Sequence, residues 1–230
     1  ITEQWAQYAI AGPKSRHLLE KIIDKDHDIS NSNFPYMACD EISICNGIRA
    51  RLFRLSFSGE MAYELAVPAR YSDALIRHIH EIGKTFDLTP YGTEALGVMR
   101  IEKGHAAGNE LNGQTTAGDL GLGKMVSKKK DSIGSILSER EGLVDPMRHI
   151  LVGVMPCNPK QKISSGSHIF ASKSTCTPSN DLGYITSMAY SPMSNSYIGL
   201  AMIKNGTNHI GGKLRAVNLL QNQDIDIELV

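Results

Sequence analysis

From His149 onward the chain offers only short β segments. Runs at 149–155, 167–171, 183–189, 197–203, 213–217 and 224–230 are separated by Gly, Pro, Asn and Ser. Short strands at close spacing, with no helical period between them, predict a small closed barrel. The chain before residue 149 has a different texture, in which strand and helix patterns alternate. Residues 5–10 read as a strand. Gly12-Pro13 then opens a helix, Pro occupying a first-turn position where its missing N–H costs nothing, with Leu18, Leu19, Ile22 and Ile23 as the buried stripe. Residues 24–35 are polar and read as a surface loop. A strand over 40–45 meets a hairpin signal at Asn46-Gly47 and returns over 48–57. The expected class is α+β, with antiparallel sheets and flanking helices over 1–145 and a small C-terminal β-barrel over 146–230.

The stretch from Leu55 to Leu65 holds the most informative pattern. It reads as two strands joined by a turn at Ser58-Gly59-Glu60. In the second strand Tyr63, Leu65 and Val67 share an apolar face, and Ala62, Glu64 and Ala66 share the other. A carboxylate between two alanines has open space beside it. Either it faces water, as one side of an antiparallel sheet commonly does, or it receives a flat group with two parallel N–H donors.

Pro68 ends that strand. A helix over 69–82 follows, with Leu75, Ile79 and Ile82 on one face, and Gly83 is its expected C-cap. His78 and His80 lie on different sides of this helix and read as solvated rather than as a metal pair. Thr89-Pro90 is the expected start of the next helix, which carries Ala95, Leu96, Val98, Met99 and Ile101 and so is expected to be buried. Arg100 in such a helix needs a carboxylate or carbonyls, as a structural ion pair or as a ligand contact. Residues 104–123 are rich in Gly and Thr and read as a long loop, functional or disordered. Lys128, Lys129 and Lys130 read as a solvated run, with an anion site as the alternative.

Composition excludes several classes. Of 230 residues, 24 are Lys or Arg and 24 are Asp or Glu, which favours neither a nucleic-acid nor an anionic-membrane partner. No apolar run of about 18 residues exists to span a membrane. The opening Ile1-Thr2-Glu3-Gln4-Trp5 has neither a basic leader nor an apolar signal core, and reads as part of something longer. Cys39, Cys45, Cys157 and Cys176 form no C-x-x-C pair, which fits reduced thiols in a cytoplasmic protein and no metal site. Neither G-x-G-x-x-G nor G-x-x-x-x-G-K-[ST] occurs.

Phe57-Ser58-Gly59-Glu60-Met61-Ala62-Tyr63-Glu64 resembles the aromatic-x-Gly-Glu-x-x-aromatic-Glu signature of the folate-binding aminomethyltransferases, the family that includes the glycine-cleavage T-protein. The block from Gly92 to Gly104 resembles the next family segment, in a form closer to the α subunits of heterotetrameric sarcosine oxidases. Asp119-Leu120-Gly121, the run from Val126 to Lys130, and Gly183-Tyr184-Ile185-Thr186-Ser187 follow the same form. The resemblance implies that Glu64 holds the pterin of tetrahydrofolate by its 2-amino and N3 positions, with Tyr63 and Phe57 in support and Arg100 as a further cofactor-binding candidate. It implies other sarcosine oxidase subunits as partners, with FAD, FMN and NAD on other parts of the complex. It also implies that 104–123 lies near the folate pocket and that the barrel covers the folate. Three departures accompany it. The family's catalytic aspartate lies upstream of the first strand, so no residue here is assigned as catalytic. Leu96 stands where aminomethyltransferases carry an Arg that helps hold folate. Phe57 stands where T-proteins usually have Tyr. The rival readings are a truncated aminomethyltransferase, which Leu96 disfavours, and a non-catalytic folate-fold module that binds a partner protein.

Overall fold

The computed structural model describes residues 2–127, 129–130 and 132–230. Of the lysine run, Lys128 lies outside the described residues; Lys129 and Lys130 are exposed. The chain divides into two compact units, residues 1–96 and 97–230.

The first unit is built on a four-stranded antiparallel sheet. Its strands are β1 (Trp5–Ala11), β2 (Cys39–Ile44), β3 (Ile48–Phe53) and β4 (Ala62–Pro68), in the order β1-β4-β3-β2. One face, carrying Ile10, Ile42, Ile44, Leu52, Tyr63, Leu65 and Val67, is the core. Two helices, α1 (Ser15–Leu19) and α2 (Ser72–Gly83), bury apolar side chains in the same core: Leu18 and Leu19 from α1, Leu75 and Ile79 from α2. Burying side chains of this size is worth roughly 1.5–3 kcal/mol each.

Several expectations need correction here. The strand predicted over 48–57 ends at Phe53, and β3 pairs with β4 only from Arg51 to Phe53. Residues 54–61 therefore form a broad loop rather than a tight hairpin turn, and Phe57 stands on that loop. Helix α1 is much shorter than its apolar stripe; Ile22 and Ile23 are buried from the segment that follows it. The polar segment 24–35 is not wholly superficial, because Ile29 and Phe34 fold into the core. Gly83 does not cap α2 in a left-handed conformation. It is the last helical residue (φ −59°), and a Cβ there would lie 2.7 Å from Leu88, so close packing is what calls for glycine. The Asn46-Gly47 hairpin forms as expected, with positive φ at Cys45, Asn46 and Gly47.

Helix α3 (Thr93–Glu102) starts three residues later than Thr93's predicted predecessor Pro90, because the carbonyl of Gly92 accepts its first bond, from Leu96 N–H at 3.1 Å. The expectation of a buried α3 also fails: Ile101 alone is buried, Leu96, Val98 and Met99 are half-buried, and Ala95 is exposed.

In the second unit, residues 104–123 form an irregular loop and two short exposed helices follow, α4 (Ser135–Ser138) and α5 (Glu141–Val144). The remaining strands are β5 (His149–Pro156), β6 (His168–Ala171), β7 (Gly183–Ser191), β8 (Ser196–Lys204), β9 (Lys213–Asn218) and β10 (Gln223–Leu229). They close into a barrel in the order β10-β5-β8-β7-β6-β9. All six predicted strands are present. Alternate residues fill the interior: Val152 and Val154, Leu214 and Ala216, and Ile225, Ile227 and Leu229. Gly183 (φ +152°) lets β7 enter this packing, since a Cβ there would meet the Met202 carbonyl oxygen at 1.9 Å.

Candidate functional site

Glu64 sits near the middle of β4, on the sheet face opposite the core. The pairing register places Ala9 directly across from Glu64, Ala11 across from Ala62, and Gln7 across from Ala66. Four alanines therefore surround one half-buried carboxylate. The result is a slot of about 250 Å³ lined by Ala9, Ala11, Ala62 and Glu64, by Leu55, Phe57 and Ser58 from the loop, and by Tyr91 and Leu96. A second cavity of about 580 Å³ shares Ala9, Ala11, Tyr91 and Leu96 with the slot, and adds Gln7, Lys14, His80 and Asp87 among others. Lys14 Nζ is 2.8 Å from Asp87 Oδ2.

Two polar groups at the slot differ in how fully they are partnered. The side-chain amide of Gln7 donates to Glu64 Oε2. Glu64 Oε1 takes no hydrogen bond among the described residues, so the carboxylate keeps accepting capacity. The Ser58 hydroxyl is buried and has no partner among the described residues. Buried polar atoms are nearly always paired, and one left alone costs roughly 1–3 kcal/mol.

The sequence-predicted residues separate into three environments. Phe57 lines the slot with Glu64 and is 38% exposed. Tyr63 borders the slot, but its ring is fully buried on the core side, stacked near Phe34 with centroids 6.5 Å apart. Its hydroxyl accepts from Arg16 Nε at 2.9 Å, which ties β4 to α1. Arg100 belongs to the second unit. Its guanidinium donates to Glu110 Oε2 at 3.1 Å, to the His105 carbonyl at 3.3 Å and to Ser187 Oγ at 2.7 Å. That is the partner set a structural ion pair requires. Glu60, the other acid of the motif, is exposed.

Glu110 is fully buried and also accepts from Ser187 Oγ at 2.6 Å and the Ala107 N–H at 3.0 Å. Burial opposes its ionisation, yet hydrogen bonds from Ser187, Thr186 and Ala107 and the Arg100 charge together hold its carboxyl below the ordinary range. Asp119 is similar. Burial raises it, but Arg148 and Thr116 prevail and lower it, with Arg148 Nη2 2.5 Å from Oδ2. Among the described residues no group of three or more His, Cys, Asp or Glu is placed to hold a metal ion, and His78 and His80 are exposed. No helix among the described residues is long and apolar enough to cross a membrane.

Sequence reasoning missed Gln7 and Glu110. Gln7 carried a signal, because alternation in β1 puts Trp5, Gln7, Ala9 and Ala11 on one face. The β1–β4 register that sets it beside Glu64 is not written in either strand alone. Glu110 lies in an irregular loop, where no periodicity marks a residue as buried.

A sheet backed by two helices and followed by a closed six-stranded barrel defines the class. The chain belongs to the glycine cleavage T-protein family: residues 1–130 match the GCVT N-terminal domain and residues 150–230 match the glycine cleavage T-protein C-terminal barrel domain. It is 52% identical over 213 residues to sarcosine oxidase subunit alpha of Rhizobium meliloti (strain 1021), covering 92% of this chain and 21% of that protein. It is 29% identical to an aminomethyltransferase of Caldanaerobacter subterraneus subsp. tengcongensis, covering 94% of this chain and 55% of that one. In fold it resembles the crystal structure of glycine cleavage system aminomethyltransferase T from Bartonella henselae, with a TM-score of 0.73 at 19% identity, over 98% of this chain and 58% of the other. The chain thus spans about a fifth of its sarcosine oxidase relative, and its relatives are enzymes.

Proposed function

We propose that this chain is the tetrahydrofolate-binding portion of a sarcosine oxidase α subunit. In this reading the whole enzyme oxidatively demethylates an N-methyl amine, and this portion positions the folate that captures the one-carbon unit as 5,10-methylenetetrahydrofolate. Residues 1–145 form the folate-binding region and 146–230 the barrel domain. The catalytic aspartate, the flavins and the NAD belong to other parts of the complex, and this chain alone is inactive.

The observation that carries the reading is the half-buried Glu64 carboxylate, set among alanines in a slot of about 250 Å³ with accepting capacity left over. Pockets that enclose a whole small molecule run to roughly 300–1,000 Å³, so this slot fits one flat ring system rather than a ring with its tail. Its chemistry suits a pterin. Small side chains on the floor leave the ring room to lie flat, Phe57 offers an aromatic face at the rim, and the unpartnered Ser58 hydroxyl is a polar atom in want of a neighbour. Bound tetrahydrofolate would supply the N5 and N10 nitrogens that accept the carbon unit. Glu64 would orient the ring by accepting from the 2-amino and N3 positions, a charge-assisted bidentate pair that fixes direction as well as affinity.

Leu96 favours this reading over a truncated aminomethyltransferase. It lines both the slot and the larger cavity, so the departure from Arg falls at the site itself. Calorimetric titration with tetrahydrofolate tests the proposal. Binding by the parent, lost in Glu64→Ala and kept in Glu60→Ala, is the expected result. Binding that survives Glu64→Ala would refute the role given to Glu64. Absence of binding by the full-length protein would favour a partner-binding module instead.

A further inference from the structure

Gln7 stands where two cavities meet. It lines the larger one, and its amide donates to Glu64, which lines the slot. An ionised carboxylate can only accept, so the amide nitrogen of Gln7 must face Glu64 and its carbonyl oxygen must face away. Among the described residues that oxygen takes no hydrogen bond. The β1–β4 register fixes the arrangement, because Gln7 lies on the same sheet face as Glu64 and two residues along from Ala9, its cross-strand neighbour.

We propose that Gln7 is a specificity-determining residue of this site, which with Glu64 forms a three-acceptor edge that recognises a 2-amino-4-oxo heterocycle. The inference rests on the folate reading and extends it. Such a ring offers three N–H bonds along one side: N3–H and both hydrogens of the 2-amino group. Glu64 Oε1 and Oε2 accept N3–H and the nearer amino hydrogen. The Gln7 carbonyl accepts the outer amino hydrogen, which a carboxylate alone leaves to water. A ring without the 2-amino group forfeits the Gln7 contact and one of the two Glu64 contacts, and keeps only the one from N3–H.

The experiment measures affinity of the full-length protein for tetrahydrofolate and for its 2-desamino-2-methyl analogue. Parent, Gln7→Leu, Gln7→Met and Glu64→Ala are compared. Gln7 is exposed on β1, so the two substitutions at that position are expected to leave the melting temperature nearly unchanged. Each is expected to weaken tetrahydrofolate about tenfold, the effect of one hydrogen bond to a polar ligand, and to leave the analogue within about twofold. Equal loss for both ligands would mean that Gln7 only supports the fold, and no loss for either would remove it from the site; each outcome overturns the inference. The parent and Glu64→Ala separate the two levels. If the parent does not bind tetrahydrofolate, the folate reading itself has failed; if Glu64→Ala binds it like the parent, the placement of the ring against Glu64 has failed, and the three-acceptor edge with it. If Glu64→Ala loses binding while the Gln7 variants do not, only the role of Gln7 has.

Discussion

Glu64 and Glu110 are both carboxylates withdrawn from solvent, and the protein treats them in opposite ways. Glu110 is fully buried and both its oxygens are engaged, with Arg100, Ser187 and a backbone N–H as donors. Glu64 is half-buried, receives one amide from Gln7, and faces a slot lined with alanines. A carboxylate with both oxygens engaged by the protein's own donors belongs to the architecture. One that keeps open acceptor positions beside shaped empty space is available to a ligand. Partner count and burial together separate the two acids.

The sharpest way to break this comparison is to remove each acid in turn. Glu110→Ala leaves the largely buried Arg100 guanidinium without its counter-charge, and is expected to cost about 3–5 kcal/mol of stability, read by urea unfolding. Glu64→Ala is expected to change stability by less than about 0.5 kcal/mol while weakening tetrahydrofolate at least a hundredfold, about 2.7 kcal/mol. If instead Glu64→Ala unfolds the chain and Glu110→Ala does not, the assignment of roles is reversed.

Asp119→Asn is a milder case. It keeps the shape but removes the charge facing Arg148, and a loss of about 1–3 kcal/mol is expected in the same unfolding assay. Acidification should show the same partition. Glu110 and Asp119 both have folded-state values below their ordinary ones, so each contributes stability that is present above the unfolded value of about 4. That contribution is lost as pH falls through the lower folded value. Melting temperature is therefore expected to drop on acidification below about pH 4, and to drop less steeply in Glu110→Gln. The smallest effect is expected for Glu60→Ala, an exposed residue of the motif, which should alter neither the melting temperature nor tetrahydrofolate affinity.

The two units also differ in how much of them could be read in advance. The barrel strands announced themselves because each is short, alternating and bounded by turn residues, and the structure keeps all six within two or three residues of their expected ends. The first unit was legible in its strands and helix α2 but not in its connections. Residues 54–57 have the apolar content of a strand yet leave the ladder after Phe53, because nothing in β4 beyond Glu64 pairs with them. That departure forms the wall of the slot. Arg100 was recognisable as a side chain in need of an acid, but Glu110 was not recognisable as that acid, since the pairing depends on how an irregular loop returns to the helix. Glu64 was legible as a carboxylate between alanines on its own strand. The other two alanines and Gln7 come from β1, which lies more than fifty residues earlier and is brought alongside only by the sheet.

Selective ¹³C labelling of glutamate side-chain carboxyls would test the central claim most directly. Each resonance is assigned with the corresponding alanine or glutamine variant, and the spectrum is followed as tetrahydrofolate is added. The Glu64 carboxyl is expected to shift in proportion to the bound fraction, while Glu110, held by its own donors, stays in place. Ligand binding with Glu64 unmoved, or with Glu110 shifting in its stead, would contradict the account.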